Sequence, residues 1–514
     1  MATATVAADS NAADYTPVHL PLTTLALGLA TFMRVLDTTV ANVSLPTIAG
    51  NLGVSYNDST WVVTSFTVCM AITLPLTGFL SRRFGEVRLF IWCTILFSLA
   101  SMMCGLSDSF GMLLVFRAIQ GAVSGPVYPI AQSLMIATYP KNKRGMALAI
   151  IAMIAIVAPV VGPVLGGWLT DRYSWHWIFF INVPIGIFAG IVALAQLSGM
   201  RQKIERPRMD YVGLIALIAG VGSLQVVLDR GQDLDWFHSN EIVILALIAA
   251  FALLVFVVWE LTDDKPIVDL KLFRHHNFAV GTVVLILSYA VFFGISLLLP
   301  LWTQKVLGYT ALWAGLAMAP VGLFPVFATY FIGKYGPRFD LRLLASASFV
   351  VVSVTCLLNA GFNTQVDFTA VALNRLFQGV GVALFFMPIL TILLSDLKGD
   401  EIASGSGLST FLYQMGASFS ASIVTFVWDR GAATDHSVLA QFVTPVNPPA
   451  LHAEHLLGGG LRALDALNKT ITQQAFQLSF DHLMVVLAAL MFALIPLLWL
   501  TRPPFIRGAA AGRH

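Results

Sequence analysis

Fourteen long apolar segments, separated by short polar connections, constrain the fold of this 514-residue chain more than any other feature. A helix needs about 20 mostly apolar residues to cross the hydrocarbon core of a bilayer. In lipid, only helices and closed barrels satisfy every backbone hydrogen bond. The sequence therefore predicts an all-α polytopic membrane protein with fourteen spans. They lie at 20–46, 58–80, 87–106, 110–137, 145–170, 176–198, 210–229, 240–261, 277–302, 311–335, 341–361, 367–396, 402–428 and 477–500.

The composition agrees with a location in membrane lipid and argues against several function classes. The chain is 57% hydrophobic and 11% charged, whereas soluble domains carry about 25% charged residues. A formal net charge of +2, with no basic stripe, argues against a nucleic-acid partner. The cysteines lie in apolar segments without paired spacing, and buried thiols are expected. They are Cys69, Cys93, Cys104 and Cys356.

The distribution of basic residues predicts how the spans are oriented. Even-numbered connections and the C-terminal tail hold twenty Lys and Arg, odd-numbered connections hold six, and three lie within spans. Basic connections stay in the cytoplasm. Both termini are therefore predicted to be cytoplasmic, as tails at 1–19 and 502–514. Residues 429–476 form one long connection on the opposite, periplasmic side. This connection is either a partly helical solvated loop or a docking surface for a partner outside the membrane.

An internal repeat divides the chain into two related halves. FRAIQGAVSGPVYP (116–129) and NRLFQGVGVALFFMP (374–388) share an Arg-x-x-Gln-Gly pattern, and Arg117 and Arg375 are 258 residues apart. Helix packing alone explains the glycines but needs no intramembrane arginine. The repeat predicts two six-helix bundles at 20–198 and 276–501, with two additional helices and linkers at 199–275. Transporters built from repeats bind their substrates between them.

Several stretches resemble the major facilitator superfamily over essentially the whole chain. LDTTVANVSLP, in the first span, is similar to the signature of its fourteen-span drug:proton antiporters. WIFFINVPIG, GSLQVVLDRGQDLDWF and WELTDDKPIVDLKLF resemble the EmrB type, the inner-membrane component of tripartite efflux systems. The resemblance implies a major facilitator fold with pseudo-twofold symmetry, in the bacterial inner membrane. It further implies export of hydrophobic toxic compounds in exchange for protons, with a periplasmic adaptor and an outer-membrane channel as partners.

Two further motifs carry roles implied by the resemblance. GFLSRRFGEVR (78–88) is similar to the superfamily's cytoplasmic gate, which implicates Gly78, Arg82, Arg83, Gly85 and Arg88. It departs from the family pattern because Arg82 stands where Asp is usual, and Glu86 and Val87 replace basic residues. APVVGPVLGG (158–167) resembles the antiporter motif, with ordinary kinked packing as the alternative. Its residues are Pro159, Gly162, Pro163, Gly166 and Gly167.

Two charges deep in the first span are the strongest candidates for a functional role. Charged residues are rare in spans and usually functional, and Arg34 and Asp37 are three residues apart, on one helix face. The first interpretation makes Asp37 the proton site and Arg34 its tuning partner. The second is a structural ion pair that offsets its own desolvation. In the third, Arg34 snorkels away and leaves Asp37 to contact Arg117.

Arg117 shares a helix face with Gln120 and Gly121. The family resemblance implies that it takes part in proton transfer; the alternative is an anchor that hydrogen-bonds backbone carbonyls.

Substrate-binding candidates follow from what a hydrophobic pocket requires. Such pockets are mostly apolar with a few polar groups, although simple packing is the alternative for each residue. The candidates are Asn42, Tyr128, Gln132, Tyr289, Phe292, Phe293, Phe385, Phe386, Met387, Tyr413 and Gln414. Tyr413 stands where relatives often have Arg, and Arg34 where a neutral polar residue is common.

The sequence contains no motif that predicts an enzyme. It lacks a phosphate loop, an HExxH motif and a nucleophile triad. His452, Glu454 and His455 have no further ligand near them in sequence, so neither a metal nor a cofactor is predicted. The remaining alternative is a dedicated exporter, or a proton-coupled transporter, of a single metabolite or fatty-acid class.

Overall fold

The computed structural model of the protein describes residues 19–140, 143–200, 204, 209–263, 266–325, 328, 339–397, 401–443 and 460–505, and this part is all-helical. The first ten helices are α1 Leu20–Leu52, α2 Tyr56–Ser59, α3 Trp61–Thr73, α4 Thr77–Phe84, α5 Glu86–Gly105, α6 Phe110–Ser124, α7 Val127–Thr138, α8 Arg144–Arg172, α9 Trp177–Phe180 and α10 Asn182–Leu197. The others are α11 Tyr211–Arg230, α12 Asn240–Thr262, α13 His276–Lys305, α14 Ala311–Met318, α15 Leu341–Ala360, α16 Phe368–Ala383, α17 Phe386–Leu394, α18 Ile402–Ala440 and α19 Gly460–Leu498. Short 3-10 helices occupy Trp236–His238, Leu270–Arg274 and Ala319–Gly322.

Most of the predicted spans are helices that can cross a membrane. Within the described residues, eleven helical segments are long and apolar enough, and α3 with α4 makes a twelfth if this pair, bent by 63°, is one span. The fifth predicted span is α8, several of whose side chains lie outside the description. The tenth begins with α14, and most of 326–338 lies outside the described residues. The described residues therefore support eleven or twelve of the fourteen predicted spans.

Several described spans are interrupted near proline or glycine, and two of these breaks repeat between the halves. Pro75 separates α3 from α4, which is expected because proline removes a backbone donor. After Arg117, the helix breaks at Gly125 and Pro126 between α6 and α7. After Arg375, it breaks at residues 384–385, between α16 and α17. The internal repeat therefore extends from sequence to helix geometry.

The helices pack closely where glycine allows it. A Cβ atom added at Gly121 would lie 2.2 Å from the backbone oxygen of Phe66, so α6 and α3 touch through their backbones. In the second half, Gly416 on α18 makes a similar close contact with Ile286 on α13. Because no hydrophobic driving force acts between helices in lipid, van der Waals packing at small residues holds such crossings together. We call α1–α10 the N-terminal half and α13–α19 the C-terminal half.

Helix α11 contacts both halves, whereas α12 presents much of its surface outward. Thr67 of α3 donates a hydrogen bond to Asp229 at 3.0 Å. Gln225 donates to Ser418 of α18 at 3.1 Å. On α12, Phe251 and neighbouring apolar side chains are more than half exposed, as expected of a lipid-facing helix.

The long connection at 429–476 is helical at both ends. α18 continues to Ala440, beyond its predicted end at 428, and α19 begins at Gly460, well before the predicted start at 477. These helical ends agree with the partly helical connection that was one of the two sequence interpretations. Each helix has 39 residues and is about 58 Å long, against a hydrocarbon core of about 30 Å. Residues 444–459, which include His452, Glu454 and His455, lie outside the described residues.

Candidate functional site

The centre of the N-terminal half contains a buried ion pair between Asp37 on α1 and Arg117 on α6. The Arg117 guanidinium nitrogen lies 2.6 Å from Asp37 Oδ2, and the two side chains are at most 1% exposed. A charge-assisted bond of this length is among the strong hydrogen bonds of proteins. The third of the three sequence interpretations therefore describes this structure.

Two amides complete the environment of the Asp37 carboxylate. Gln120, one turn after Arg117, donates to Oδ1 at 3.0 Å. Asn182, at the first position of α10, donates to the same oxygen at 2.8 Å and to the Ser101 hydroxyl at 3.0 Å. Both oxygens of Asp37 thus accept hydrogen bonds from a cation or an amide. Side chains of α6 and α10 thus hold one buried carboxylate of α1, which satisfies the requirement that a buried charge be paired and bonded.

Arg117 is also an anchor between helices. Its Nε donates to the backbone oxygen of Val62 on α3 at 2.9 Å, and its guanidinium lies 4.4 Å from the Phe66 ring centroid. The same guanidinium donates to Gln120 at 2.8 Å. The two sequence interpretations of Arg117, anchor and partner of the acid, therefore both describe contacts that it makes.

Arg34 does not pair with Asp37. It is 7% exposed and donates to the Met70 sulfur at 3.0 Å, and its guanidinium lies 5.6 Å from the Tyr128 ring centroid. The expected Arg34–Asp37 pair is thus corrected. Asp37 already forms a short, fully buried ion pair with Arg117 on α6. Arg34 instead contacts Met70 and Tyr128.

Residues of the proposed antiporter motif bring α8 against α1 beside Asp37. A Cβ atom added at Gly162 would lie 2.0 Å from the Thr39 hydroxyl oxygen. One added at Gly166 would lie 3.0 Å from Val40. These contacts involve the positions two and three residues after Asp37. Pro159 is exposed and Gly167 is half-buried, and both lie on the continuous helix α8. The side chain of Pro163 is not among those that the structure describes.

Most of the aromatic substrate candidates come together within the C-terminal half. The Tyr289 ring lies 4.6 Å from that of Tyr413 and 5.7 Å from that of Phe386. Phe292 and Phe293 each lie 6.3 Å from Tyr289. Tyr128 lies on α7 of the N-terminal half, where its ring centroid is 5.6 Å from the Arg34 guanidinium. The following list defines the aromatic cluster: Tyr128, Tyr289, Phe292, Phe293, Phe385, Phe386 and Tyr413.

The remaining candidates are dispersed. Met387 is buried, Gln414 is half-buried and Asn42 is exposed. Gln132 accepts a hydrogen bond from Ser406 across the interface between the halves. This amide therefore joins α7 to α18, a structural role in addition to any contact with a substrate.

The gate motif brings α4 against α18 on the predicted cytoplasmic side. Arg82 donates to the Ser404 hydroxyl at 3.1 Å, and a Cβ at Gly78 would lie 2.7 Å from that of Ser404. Gly85 adopts a φ of 84°, a conformation that favours glycine, at the turn between α4 and α5. Arg83 and Arg88 are exposed. Of the five predicted gate residues, Gly78 and Arg82 make the contact between the halves.

The second copy of the repeated motif contains no carboxylate partner. Arg375 is 3% exposed and donates to Gln378, as Arg117 does to Gln120. In the described part of the chain, no Asp or Glu forms an ion pair with Arg375. Among the described residues, the acid–base arrangement therefore occurs in the N-terminal half alone.

An architecture of two related helical halves, with a buried ion pair inside a span, is typical of secondary transporters. The family model described as Major Facilitator Superfamily matches residues 27–421. The chain is 47% identical to the Multidrug export protein EmrB of Escherichia coli strain K12, over 96% of this chain and 98% of that protein. It is 45% identical to the Fatty acid resistance protein FarB of Neisseria gonorrhoeae, over 96% and 99%. The chain belongs to the Major Facilitator Superfamily and is of the EmrB type.

A solved structure supports the fold independently. The human organic anion transporter MFSD10 (TETRAN) aligns with a TM-score of 0.56 at 13% sequence identity, over 92% of this chain and 98% of that chain. At such low identity the match concerns the fold alone. The predicted major facilitator fold and the resemblance to EmrB-type members are confirmed, and the chain is a multi-pass membrane protein of a transporter family rather than an enzyme family.

Proposed function

We propose that the protein is a proton-coupled antiporter that exports hydrophobic, chemically diverse compounds as part of a tripartite efflux pump. The observation that carries the proposal is the Asp37 carboxylate, buried inside a span and held by Arg117, Gln120 and Asn182. A proton-driven exchanger needs an intramembrane acid that binds and releases a proton. Titratable groups at such positions mark proton pathways in transporters.

The names of similar proteins support the export part of the proposal. The 47% identical relative is named as a multidrug export protein, and its alignment covers nearly the whole of both chains. The aromatic cluster supports it chemically, because aromatic rings with a few polar groups suit varied hydrophobic ligands.

Protonation of Asp37 would weaken the site that it organises. The neutral acid loses its ionic attraction to Arg117 and keeps only a weaker hydrogen bond, so α1 and α6 are then held together less strongly. Thr39 and Val40 follow on the same helix and pack against Gly162 and Gly166 of α8. The proposed proton site therefore lies next to the closest α1–α8 contact, and protonation is coupled to movement of these helices.

The proposed location is the bacterial inner membrane, with both termini in the cytoplasm. In that orientation the polar ends of α18 and α19 project into the periplasm, where they are available to an adaptor that leads to an outer-membrane channel. The exposed apolar face of α12 would contact membrane lipid. Gly78 and Arg82, with Ser404, would close the cytoplasmic gate.

The proposal is tested by proton flux in liposomes with an imposed pH gradient. Lumenal pH is followed while a panel of hydrophobic compounds is added to native protein or to Asp37→Asn. We expect several unrelated compounds to trigger flux in the native protein and none to do so in Asp37→Asn. Asp233→Asn, an exposed acid in the connection after α11, is the matched control and should retain native flux.

Two results would contradict the proposal in different ways. Compound-triggered flux that survives Asp37→Asn would move the proton site to another residue. Flux with only one chemical class would favour a dedicated exporter, for which the fatty acid resistance name of the 45% identical relative is the supporting observation.

A further inference from the structure

Asp210 and Glu260 bring two carboxyl groups together at the predicted cytoplasmic end of the two additional helices. Asp210 directly precedes α11, and Glu260 lies in the last turn of α12. Glu260 is 0% exposed. The Oδ2 atom of Asp210 and the Oε1 atom of Glu260 are both buried, and neither has a hydrogen-bond partner. Each such atom costs its full desolvation penalty, so a missing donor is expected here.

The two unbonded oxygens lie beside the same glycine. A Cβ atom added at Gly213 would lie 2.3 Å from Asp210 Oδ2 and 2.6 Å from Glu260 Oε1. The two oxygens are therefore less than about 5 Å apart, a separation at which one carboxylate disfavours ionisation of the other. Glycine at this position keeps the backbone of α11 close to both acids without a side chain between them.

The other oxygen of each carboxyl group is already bonded. Asp210 Oδ1 accepts hydrogen bonds from the backbone nitrogen of Gly213 and from the indole nitrogen of Trp259, each at 3.0 Å. Glu260 Oε2 accepts a hydrogen bond from the backbone nitrogen of Val268 at 3.3 Å. These bonds hold the start of α11, the end of α12 and the connection to α13 around the pair. Each acid thus has one oxygen left for the other.

The described residues supply no cation to this pair. The described charged residues of the connection and of the 3-10 helix after α12 are Asp263, Asp269, Lys271 and Arg274. Lys271 donates to the backbone oxygen of Asp263 at 3.4 Å, and α3, which packs against α11, has no charged residue. In the described part of the chain, no Lys, Arg or His forms an ion pair with either carboxyl group. If both groups were ionised, two unpaired like charges would be buried together, which is costly.

We propose that Asp210 and Glu260 form a second proton-binding site, in which one proton is shared between the two facing oxygens. A proton makes one carboxyl group a donor, so a single O–H···O bond satisfies both buried oxygens. Carboxyl groups that lie this close together hold one proton because both cannot ionise. A metal ion suits the pair less well, since Mg²⁺ and Ca²⁺ take six or more oxygen ligands. Among the described residues, no group of three or more acidic, histidine or cysteine side chains is placed to hold a metal.

The shared proton gives the two additional helices a defined point of attachment. It joins the start of α11 to the end of α12 and to the connection that leads into α13, the first helix of the C-terminal half. Loss of the proton would leave two repelling carboxylates and weaken this attachment. The inference goes beyond the proposed function, because the pair is separate from Asp37 and Arg117 and concerns helices outside both halves.

The test is infrared spectroscopy of purified full-length protein in lipid nanodiscs, in which a protonated carboxyl group shows a C=O stretching band of its own. At about pH 7 an ordinary carboxyl group is ionised and lacks this band. We expect Glu260→Gln and Asp210→Asn each to remove one such band, because the new amide donates to the remaining carboxylate and replaces the proton. Glu241→Gln, at an exposed position in the first turn of α12, is the matched control and should remove none.

Thermal unfolding in the same nanodiscs distinguishes a shared proton from a bound metal ion. Glutamine has the shape of protonated glutamate, so the unfolding temperature of Glu260→Gln should lie within about 2 °C of native. Added Ca²⁺, Mg²⁺ or a chelator should shift neither protein. Asparagine remains a good residue at the start of a helix, so Asp210→Asn tests the site if Glu260→Gln does not fold.

The proposal is overturned if neither variant removes a carboxylic acid band. It is also overturned if Ca²⁺ or Mg²⁺ raises the unfolding temperature of the native protein but not that of Glu260→Gln, which would assign the pair to a metal ion. Failure of the proposed function is a different result. It is read from proton flux in the native protein and in Asp37→Asn, whereas the infrared bands of the Asp210 and Glu260 variants report on this pair whether or not flux occurs.

Discussion

At the scale of single residues, hydrogen bonds from neighbouring groups offset the free-energy cost of burying the Asp37–Arg117 ion pair. Desolvation of two buried charges is repaid only when good geometry and additional hydrogen bonds accompany them. Here Gln120, Asn182 and the Val62 carbonyl supply those bonds. The loss of one partner therefore has a different consequence from the loss of both.

Arg117→Met should destabilise the protein more than the double variant Asp37→Asn/Arg117→Met. The single substitution leaves the carboxylate buried without a cation, at a cost of about 3–5 kcal/mol, whereas the double variant leaves no unpaired charge. Thermal unfolding in detergent measures both. Arg430→Met, at an exposed position, is the control and should lie within about 0.5 kcal/mol of native. Equal destabilisation by the single and double variants would mean that Arg117 acts as an anchor for Val62 and not as the partner of Asp37.

At the scale of secondary structure elements, contact between α3 and α6 fixes where Arg117 meets Asp37. Gly121 lies one turn after Arg117, and its backbone touches that of α3 at Phe66. A side chain there cannot be accommodated by a rotamer change, because the contacting atoms belong to the backbone. The position of Arg117 relative to α1 thus depends on a glycine that carries no chemistry itself.

Gly121→Ala should lower thermal stability and compound-triggered proton flux together. The added methyl carbon would lie 2.2 Å from the Phe66 oxygen, and forcing such overpacking costs about 1–3 kcal/mol. Gly111→Ala is a matched control on the same helix, since no atom lies within 4 Å of its Cβ position. There, alanine should be neutral or stabilising by about 0.5–1 kcal/mol. If the two variants behave alike in unfolding and flux, the α3–α6 crossing is not as close as described.

At the scale of the whole molecule, hydropathy predicted an all-α membrane protein, the repeated Arg-x-x-Gln-Gly motif predicted two related halves, and the family resemblance implied the major facilitator fold. The partner of Asp37 could not be deduced in the same way. Arg34 is three residues away along α1, but the pairing cation comes from α6, and helix spacing carries no information about such tertiary contacts. Asn182 was missed as a ligand of Asp37, although a lone amide in the apolar stretch WIFFINVPIG was a usable signal. The exact lengths of α18 and α19 could not be predicted because a hydropathy criterion ends a span where apolar residues end, although a partly helical connection was one of the two interpretations.

Closure on the predicted cytoplasmic side depends on close contacts between α4 and α18. A Cβ at Gly78 would meet both the Cβ of Ser404 at 2.7 Å and its Cα at 2.9 Å. Gly407, one turn further along α18, approaches Thr77 in the same way at 2.9 Å. Since one contact atom is backbone, a larger side chain at residue 78 must separate the two halves on this side. In an alternating-access cycle, that penalty falls on the closed state alone.

Gly78→Val should therefore inhibit transport without abolishing substrate binding. Overpacking by about 1–3 kcal/mol in one state shifts the balance between the two states by about 5–150-fold. Proton flux in liposomes should fall by a factor within that range, while binding of a hydrophobic probe to detergent-purified protein remains near native. Gly50→Val, at a position with no atom within 4 Å of its Cβ, is the matched control and should transport normally. Native flux in Gly78→Val would mean that the halves do not need this α4–α18 contact to complete the cycle, and the gate would then lie elsewhere on the interface.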